Sequence, residues 1–216
     1  MYISYLKTTL TTWTTKATVL IGCLCCLSCL FTSCSEDADV TEEFDNWEEK
    51  NDEAFMRVYN NASASTTAQW KVVRAYTKPD SYDGIVNPYD CIVVNVLETG
   101  IGSISPCLND TVSIHYQGRL IPSESYSQGY VFDGTVNGEY SVKMAYTSRQ
   151  LVSNMIDGYS TALQHMTVGD HWRIYIPSEL GYGVSGSTKI PGYSVLIFEV
   201  TLLDVSPAGQ VMKPWR

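Results

Sequence analysis

The amino-acid sequence predicts an α+β fold, in which an antiparallel β-sheet packs against one short helix. Beyond residue 69 the apolar residues come in short runs that alternate or are rich in β-branched and aromatic types, as is typical of strands. A single helical stretch, residues 154–165, interrupts the series. The predicted strands are residues 70–76, 91–97, 111–120, 172–176 and 194–203. Several antiparallel strands with one helix on a face indicate this fold class.

A second helix is predicted before the sheet, over residues 41–59. Its apolar residues recur at steps of three and four, and acidic residues fill its first turn. The apolar positions are Phe44, Trp47, Ala54 or Phe55, and Val58. Residues 62–67 (ASASTT) indicate a flexible linker. The helix is interpreted as a spacer, and a dimerisation or docking helix remains the alternative.

The charge of the chain is concentrated in one segment. Residues 36–53 contain ten acidic residues and one lysine, which equals the whole formal charge of −9. The remainder of the 216 residues is close to neutral, and 44% of the whole chain is hydrophobic, enough to bury a core. A nucleic-acid-binding protein needs a basic face to neutralise phosphates, and the sequence offers none.

The N-terminus has the pattern of an export signal. Residues 17–31 are apolar and uncharged and follow two lysines, as in a signal peptide. The run is shorter than the roughly 20 residues that span a bilayer, which argues against a permanent transmembrane helix. It ends in FTSC, with Cys34 last. This ending resembles a bacterial lipobox, although Phe31 replaces the usual leucine.

The lipobox resemblance implies that Cys34 is diacylated and becomes the new N-terminus. Cys29, a plain secretory signal, and an uncleaved short anchor remain alternatives. The acidic residues that follow Cys34 resemble the surface-export signal of Bacteroidetes lipoproteins. We therefore expect an outer-membrane lipoprotein of the cell envelope, on the periplasmic face or the cell surface. The predicted division is signal peptide 1–33, acidic helical spacer and linker 34–69, and domain 70–216.

Only two of the seven cysteines, Cys91 and Cys107, lie beyond the signal and the lipid site. They have no CxxC spacing and no clustered histidines, so neither a metal nor a cofactor is predicted. A disulfide between them and two separate thiols both remain open. The three histidines, His115, His165 and His171, are interpreted as structural residues.

Seven motifs follow one another between residues 94 and 205. They are VSIHYQG (112–118), VFDGT (131–135), MIDGY (155–159), MTVGD (166–170), IPSELGYG (176–183), IP (190–191) and LIFEV (196–200). In this order they resemble the FKBP-type peptidyl-prolyl cis-trans isomerases. The resemblance implies a twisted antiparallel sheet wrapped around a short helix, with a proline-binding pocket between them.

The resemblance also implies which residues form the pocket. The catalytic candidates are Tyr116, Phe132, Asp133, Ile156 and Tyr182, and the substrate-binding candidates are Tyr140 (or Val142), Met155, Tyr159, Ile190 and Phe198. In these roles Phe132, Tyr159 and Phe198 hold the proline ring. The N–H of Ile156 and the hydroxyl of Tyr182 bind substrate carbonyls. Asp133 lies beside the rotating carbonyl and is steadied by the hydroxyl of Tyr116.

This chemistry requires no nucleophile, metal or cofactor. Rotation about a peptide bond crosses a barrier of roughly 18–20 kcal/mol because the bond has partial double-bond character. The twisted amide has lost resonance and charge separation, so an apolar pocket favours it over the planar form. The expected function is isomerisation of X-Pro bonds during folding of exported proteins, with proline-containing polypeptides and a membrane as partners.

Two departures from the family pattern bear on this expectation. Tyr159 stands where the family has a tryptophan at the pocket floor, which predicts reduced activity. The stretches at 121–130 and between Asp133 and Met155 are longer than in minimal members, and loops beside a pocket affect which peptides enter. Two alternatives remain: a proline-binding or chaperone module without turnover, and an accessory lipoprotein of an envelope complex that docks through residues 41–59.

Overall fold

The structure is a computed structural model, and it describes residues 43–79, 84–136 and 138–210. The predicted signal peptide, the lipidation site Cys34 and the first residues of the acidic segment lie outside the described residues. Within the described ranges, no helix has both the length and the apolar character needed to cross a membrane.

The described residues contain two α-helices and seven strands, together with short 3₁₀ turns. The helices are α1 (Trp47–Ala64) and α2 (Asp157–His165). The strands are β1 (Trp70–Arg74), β2 (Cys91–Glu98), β3 (Thr111–Arg119), β4 (Val131–Gly134), β5 (Ser148–Leu151), β6 (His171–Ile176) and β7 (Leu196–Ser206). They form one sheet in the order β1-β2-β6-β7-β3-β4, with β5 also paired to β3. Every pairing is antiparallel, which confirms the predicted fold class.

Helix α2 packs on the inner face of the sheet. In β6 every second residue is buried, as expected where one strand face covers the core. The fit is close at Gly158, where a Cβ would lie 2.4 Å from a side-chain atom of Ile176 and 3.1 Å from one of Ile92. Because only hydrogen fits there, a glycine in the first turn brings the helix down onto the strands.

Helix α1 covers the opposite face of the sheet near β1 and β2. The register pairs Val72 with Val93, and alternation places these residues on the face opposite Ile92. Tyr59 and Ala62 of α1 line a shallow depression together with Val72 and Cys91. The same helix buries Trp47, Asn51 and Phe55. The two helices therefore lie on opposite faces of this part of the sheet.

Polar contacts fix α1 to the body of the domain. The indole N–H of Trp47 donates to Ser194 Oγ (2.8 Å), and Asn51 Oδ1 accepts from the backbone N–H of Val195 (2.8 Å). Ahead of the helix, the carboxylate of Glu43 accepts from Ser123 and Ser125. This packed arrangement differs from the spacer that the sequence predicted for residues 41–59.

The boundaries of several elements differ from those predicted. The first helix begins at Trp47 and continues to Ala64, into the predicted linker, because its alanines favour helix as well as linker. The second begins at Asp157, since residues 152–154 form a separate 3₁₀ turn. The last strand extends to Ser206, and β4 and β5 are additional short strands that pair with β3.

Both cysteines beyond the signal region are free thiols in the structure. Cys91 is buried and Cys107 is exposed, so the interpretation as two separate thiols is the one that the structure bears out. Burial raises the pKa of the Cys91 thiol above its usual value. The described residues contain no cluster of His, Cys, Asp and Glu suited to a metal ion.

Candidate active site

A cavity of about 570 Å³ lies between the inner face of the sheet, the start of α2 and the loop that follows β6. Nearly all the predicted pocket residues line it: Tyr116, Phe132, Asp133, Met155, Ile156, Tyr159, Tyr182, Ile190 and Phe198. They come from β3, β4, α2 and the two residues before it, β7, and the loop between β6 and β7. The fold therefore brings together side chains that are up to 82 positions apart in the sequence.

Three aromatic rings form the floor and one wall of the cavity. The ring of Phe198 meets Phe132 edge to face at 5.5 Å between centroids and Tyr159 at 4.7 Å. A Cβ at Gly118 would lie 2.6 Å from the ring of Phe132 and 2.7 Å from that of Phe198. The absence of a side chain at Gly118 lets both rings lie over β3. The result is an apolar aromatic surface at the bottom of the cavity.

Asp133 is held in one orientation at the side of the cavity. The hydroxyl of Tyr116 donates to Asp133 Oδ2 (2.8 Å), and the backbone N–H of Gly134 donates to Oδ1 (2.8 Å). Burial and the bond to Asp133 raise the pKa of Tyr116 above its usual value, so the phenol stays protonated and remains a donor. The carboxylate thus keeps a fixed position facing the cavity.

Two hydrogen-bond donors at the mouth are available to a ligand. Ile156 is the residue before α2, and its carbonyl accepts from Ser160. Its own N–H has no hydrogen-bond acceptor among the described residues. Tyr182 is 41% exposed, so its hydroxyl can reach an entering peptide. Both arrangements suit the predicted binding of substrate carbonyls.

The hydroxyl of Tyr159 is buried at the floor. The residue is only 3% exposed, and within the described part of the chain its oxygen has no hydrogen-bond partner. Burial raises the pKa of this phenol well above its usual value. The floor therefore carries a neutral, unpaired polar group in otherwise apolar surroundings.

The prediction for Tyr140 is wrong, because this residue does not line the cavity. Its hydroxyl donates to the carbonyl of His115 (3.1 Å) and hydrogen-bonds Thr201 Oγ1 (2.7 Å), and its ring stacks on His171. His115 and Thr201 alternate with the pocket residues on their strands, so they lie on the outer face of the sheet. The inserted segment after β4 therefore folds over the face away from the pocket, and Val142, the alternative, is also outside the cavity.

Several lining residues were missed from the sequence. They are Ile114, Gln150, Asn154, Ser187, Thr188 and Lys189. Alternation on β3 could have indicated Ile114, which is two positions before Tyr116. The position of Gln150 depends on the pairing of β5 with β3, opposite Val112, and no sequence signal reveals that register.

Comparisons with known proteins agree with this geometry. Residues 102–203 match the family model of the FKBP-type peptidyl-prolyl cis-trans isomerases. The chain is 36% identical over 124 residues to the FKBP-type 22 kDa peptidyl-prolyl cis-trans isomerase of Escherichia coli, covering 57% of this chain and 54% of that protein. It is 34% identical over 120 residues to the macrophage infectivity potentiator of Trypanosoma cruzi, covering 55% of each.

A solved structure supports the same assignment. The crystal structure of FkpA from Escherichia coli matches with a TM-score of 0.55 and 25% identity, over 76% of this chain and 63% of that one. Residues 102–203 are thus similar to the FKBP-type peptidyl-prolyl cis-trans isomerase family in both sequence and fold. The chain spans about half the length of the curated relatives described above.

Proposed function

We propose that the protein is a peptidyl-prolyl cis-trans isomerase that assists the folding of exported proteins. The observation that carries the proposal is the apolar cavity with its aromatic floor, flanked by the fixed carboxylate of Asp133 and the available N–H of Ile156. An X-Pro segment would place its ring over Phe198 while these groups hold the carbonyls on each side.

The pocket acts by stabilising the twisted amide more than the planar amide. Moving the X-Pro bond out of water favours the twisted form, which is less polar. A preference of about 4 kcal/mol would accelerate rotation roughly a thousandfold. No bond is made or broken, so the residues only need to bind, orient and exclude water.

The test is acceleration of cis-trans exchange in X-Pro peptides by the purified full-length chain. We expect the wild type to accelerate exchange and Asp133→Leu to lose most of the effect, because the carboxylate beside the rotating carbonyl is gone. Tyr182→Phe, which removes only the hydroxyl at the mouth, should lose less. Absence of acceleration by the wild type for every peptide tested would reject the isomerase.

A binding module without turnover is the second candidate, and Tyr159 favours it. The smaller floor ring holds a proline less closely than a tryptophan would. The same assay separates the two candidates: a module binds the peptides, as measured by NMR titration, but leaves their exchange rate unchanged. An accessory docking role for α1 has less support, because its apolar residues are buried against the domain.

We also propose that the chain is a lipoprotein of Bacteroidetes type, anchored through Cys34 to the outer membrane. The support is the apolar run at 17–31 followed by FTSC and an acidic stretch. Two or more acyl chains give stable anchoring where a single chain does not. We expect Cys34→Ser to move the protein from the membrane to the soluble fraction, whereas Cys29→Ser should leave it bound. Membrane retention of Cys34→Ser would contradict the anchor.

A further inference from the structure

The cavity has a basic residue at its edge that the reaction described above does not use. Lys189 lies in the loop between β6 and β7, lines the cavity and is exposed to solvent. Of the fifteen described residues that line the cavity, Lys189 alone is basic and Asp133 alone is acidic. The cavity therefore presents one cation and one anion to an entering peptide.

The two charged groups differ in the contacts that they already make. The carboxylate of Asp133 accepts hydrogen bonds from the hydroxyl of Tyr116 and from the backbone N–H of Gly134. The ammonium of Lys189 has neither a hydrogen-bond acceptor nor an ion-pair partner among the described residues. Because an ammonium has three N–H donors, all of them are available to a ligand.

A short hairpin holds Lys189 at the edge of the cavity. Ser187 and Ile190 exchange backbone hydrogen bonds of 2.7 and 3.2 Å, so Thr188 and Lys189 form the turn between them. Ile190 is 4% exposed and lines the cavity, which anchors the hairpin there. At Gly186, where φ is 63°, a Cβ would lie 2.1 Å from the carbonyl oxygen of Ile190, so glycine permits this close approach. The flexible four-carbon stem of a lysine lets its ammonium follow a ligand at the mouth.

We propose that Lys189 is a specificity-determining residue, which favours X-Pro segments that have an aspartate or glutamate within two residues of the proline. Opposite charges attract and like charges repel, so a lysine in the same place of the peptide is disfavoured. The charge of Asp133 opposes a carboxylate on its own side of the cavity, so the preference depends on which flank of the proline carries the acid. The inference rests on the proposed function, in which the cavity receives the proline, and it adds the class of segment that is preferred.

The experiment compares X-Pro peptides with glutamate, glutamine or lysine at either of the two positions before or after the proline. Dissociation constants are measured by NMR titration of the full-length chain, and exchange rates are recorded on the same samples. For at least one position, Lys189→Gln should lower the preference for glutamate over glutamine about 1.5- to fivefold, the usual worth of an exposed ion pair. Lys189→Glu should reverse the preference and favour the lysine peptide.

Lys143→Gln is the matched control, because Lys143 is an exposed lysine of the segment after β4 that does not line the cavity. It should leave the ratio of the glutamate and glutamine peptides as in the wild type. The wild-type preference should also weaken as salt is raised from about 0.1 to 1 M, which shortens the screening length from about 10 to 3 Å. A purely structural role of Lys189 would not make this ratio depend on salt.

Each outcome decides the inference. If wild type and Lys189→Gln have the same ratio of glutamate to glutamine affinity at every position, the inference is wrong, while acceleration of exchange by both would leave the isomerase standing. If Lys189→Gln does not fold by circular dichroism, the salt dependence of the wild-type ratio decides: a ratio that falls with salt supports the inference, and a constant ratio overturns it. Failure of the wild type to bind any peptide would reject the proposed function and this inference with it.

Discussion

His115 lies on the outer face of the sheet, away from the pocket, and its burial changes the pKa of its imidazole. The residue is 4% exposed, beneath the inserted segment that follows β4. Its Nε2 is 3.3 Å from Thr147 Oγ1, and Tyr140 bonds the His115 carbonyl. Burial lowers the pKa of the imidazole below its usual value, because the charged form is poorly solvated there.

The lowered pKa of His115 makes the stability of the domain depend on pH. The unfolded chain takes up a proton as the pH falls below about 6.5, while the folded chain still resists it. The stability that neutral His115 contributes is therefore complete above that pH and is lost as the pH falls towards the folded pKa. We expect the free energy of unfolding, measured by urea denaturation, to decrease as the pH falls below about 6.5.

His115→Gln should reduce this decrease, because glutamine does not take up a proton. Glu199 titrates in a different window. Burial opposes its ionisation, but hydrogen bonds with His171 and Arg173 hold its pKa below the usual value, so its contribution is lost only as the pH falls below about 4.5. An identical pH profile for wild type and His115→Gln would contradict the assignment.

At the scale of single residues, the sequence predicted the position of a site residue correctly where that residue lay within a recognisable motif. Asp133 and Tyr116 were predicted as a pair, and their hydroxyl and carboxylate oxygens are 2.8 Å apart. Tyr140 was placed wrongly because it lies in an inserted segment with no motif of its own. The face that such a segment covers depends on partners such as His171, 31 positions further on, and local pattern cannot reveal them.

At the scale of elements, one amide makes a central contribution to the attachment of α1. Asn51 is 1% exposed, and it bridges the helix and the domain: Nδ2 donates to the Trp47 carbonyl (2.7 Å) and Oδ1 accepts from the Val195 N–H (2.8 Å). Removing the amide would leave the buried Val195 N–H without an acceptor.

We expect Asn51→Ala to lower the free energy of unfolding by about 1–3 kcal/mol, the cost of an unsatisfied buried donor. Asn60→Ala is the matched control, because it is an exposed asparagine of the same helix, and it should change stability by no more than about 0.5 kcal/mol. Equal effects of the two substitutions in urea denaturation would show that the bridge contributes nothing.

The periodicity of α1 indicated a helix but not what it would contact. Phe44, Trp47 and Phe55 have the spacing of an apolar stripe, which a docking helix and a packed helix share. The acidic composition favoured a solvated spacer, and the charges do occupy the exposed positions. The stripe is received by the outer face of β1 and β2 and by the segment ahead of β7 that contains Ser194 and Val195. Strand patterns do not show which of two faces remains uncovered.

At the scale of the whole molecule, the pocket and α1 lie on opposite faces of the sheet, so they should be separable. We expect a chain of residues 69–216 to keep its isomerase activity but to lose stability relative to residues 43–216. In the longer chain only Cys107 should react quickly with a thiol reagent, since Cys91 is buried with a raised pKa. In the shorter chain both thiols should react.

Thiol counting by absorbance and an isomerisation assay on the same two preparations check this expectation. A shorter chain that is inactive although folded by circular dichroism would mean that α1 contributes to the pocket. A single reactive thiol in both chains would mean that α1 does not protect Cys91.

The presence of a tyrosine at the floor of the cavity also determines which spectroscopic signal can follow ligand binding. The tryptophans among the described residues are Trp47, Trp70 and Trp172, and none of them lines the cavity. Indole emission from these three would follow the detachment of α1 or the opening of the sheet, and filling of the pocket would leave it nearly constant. A ligand would instead be followed through the absorbance of Tyr159, Tyr116 and Tyr182, which surround it.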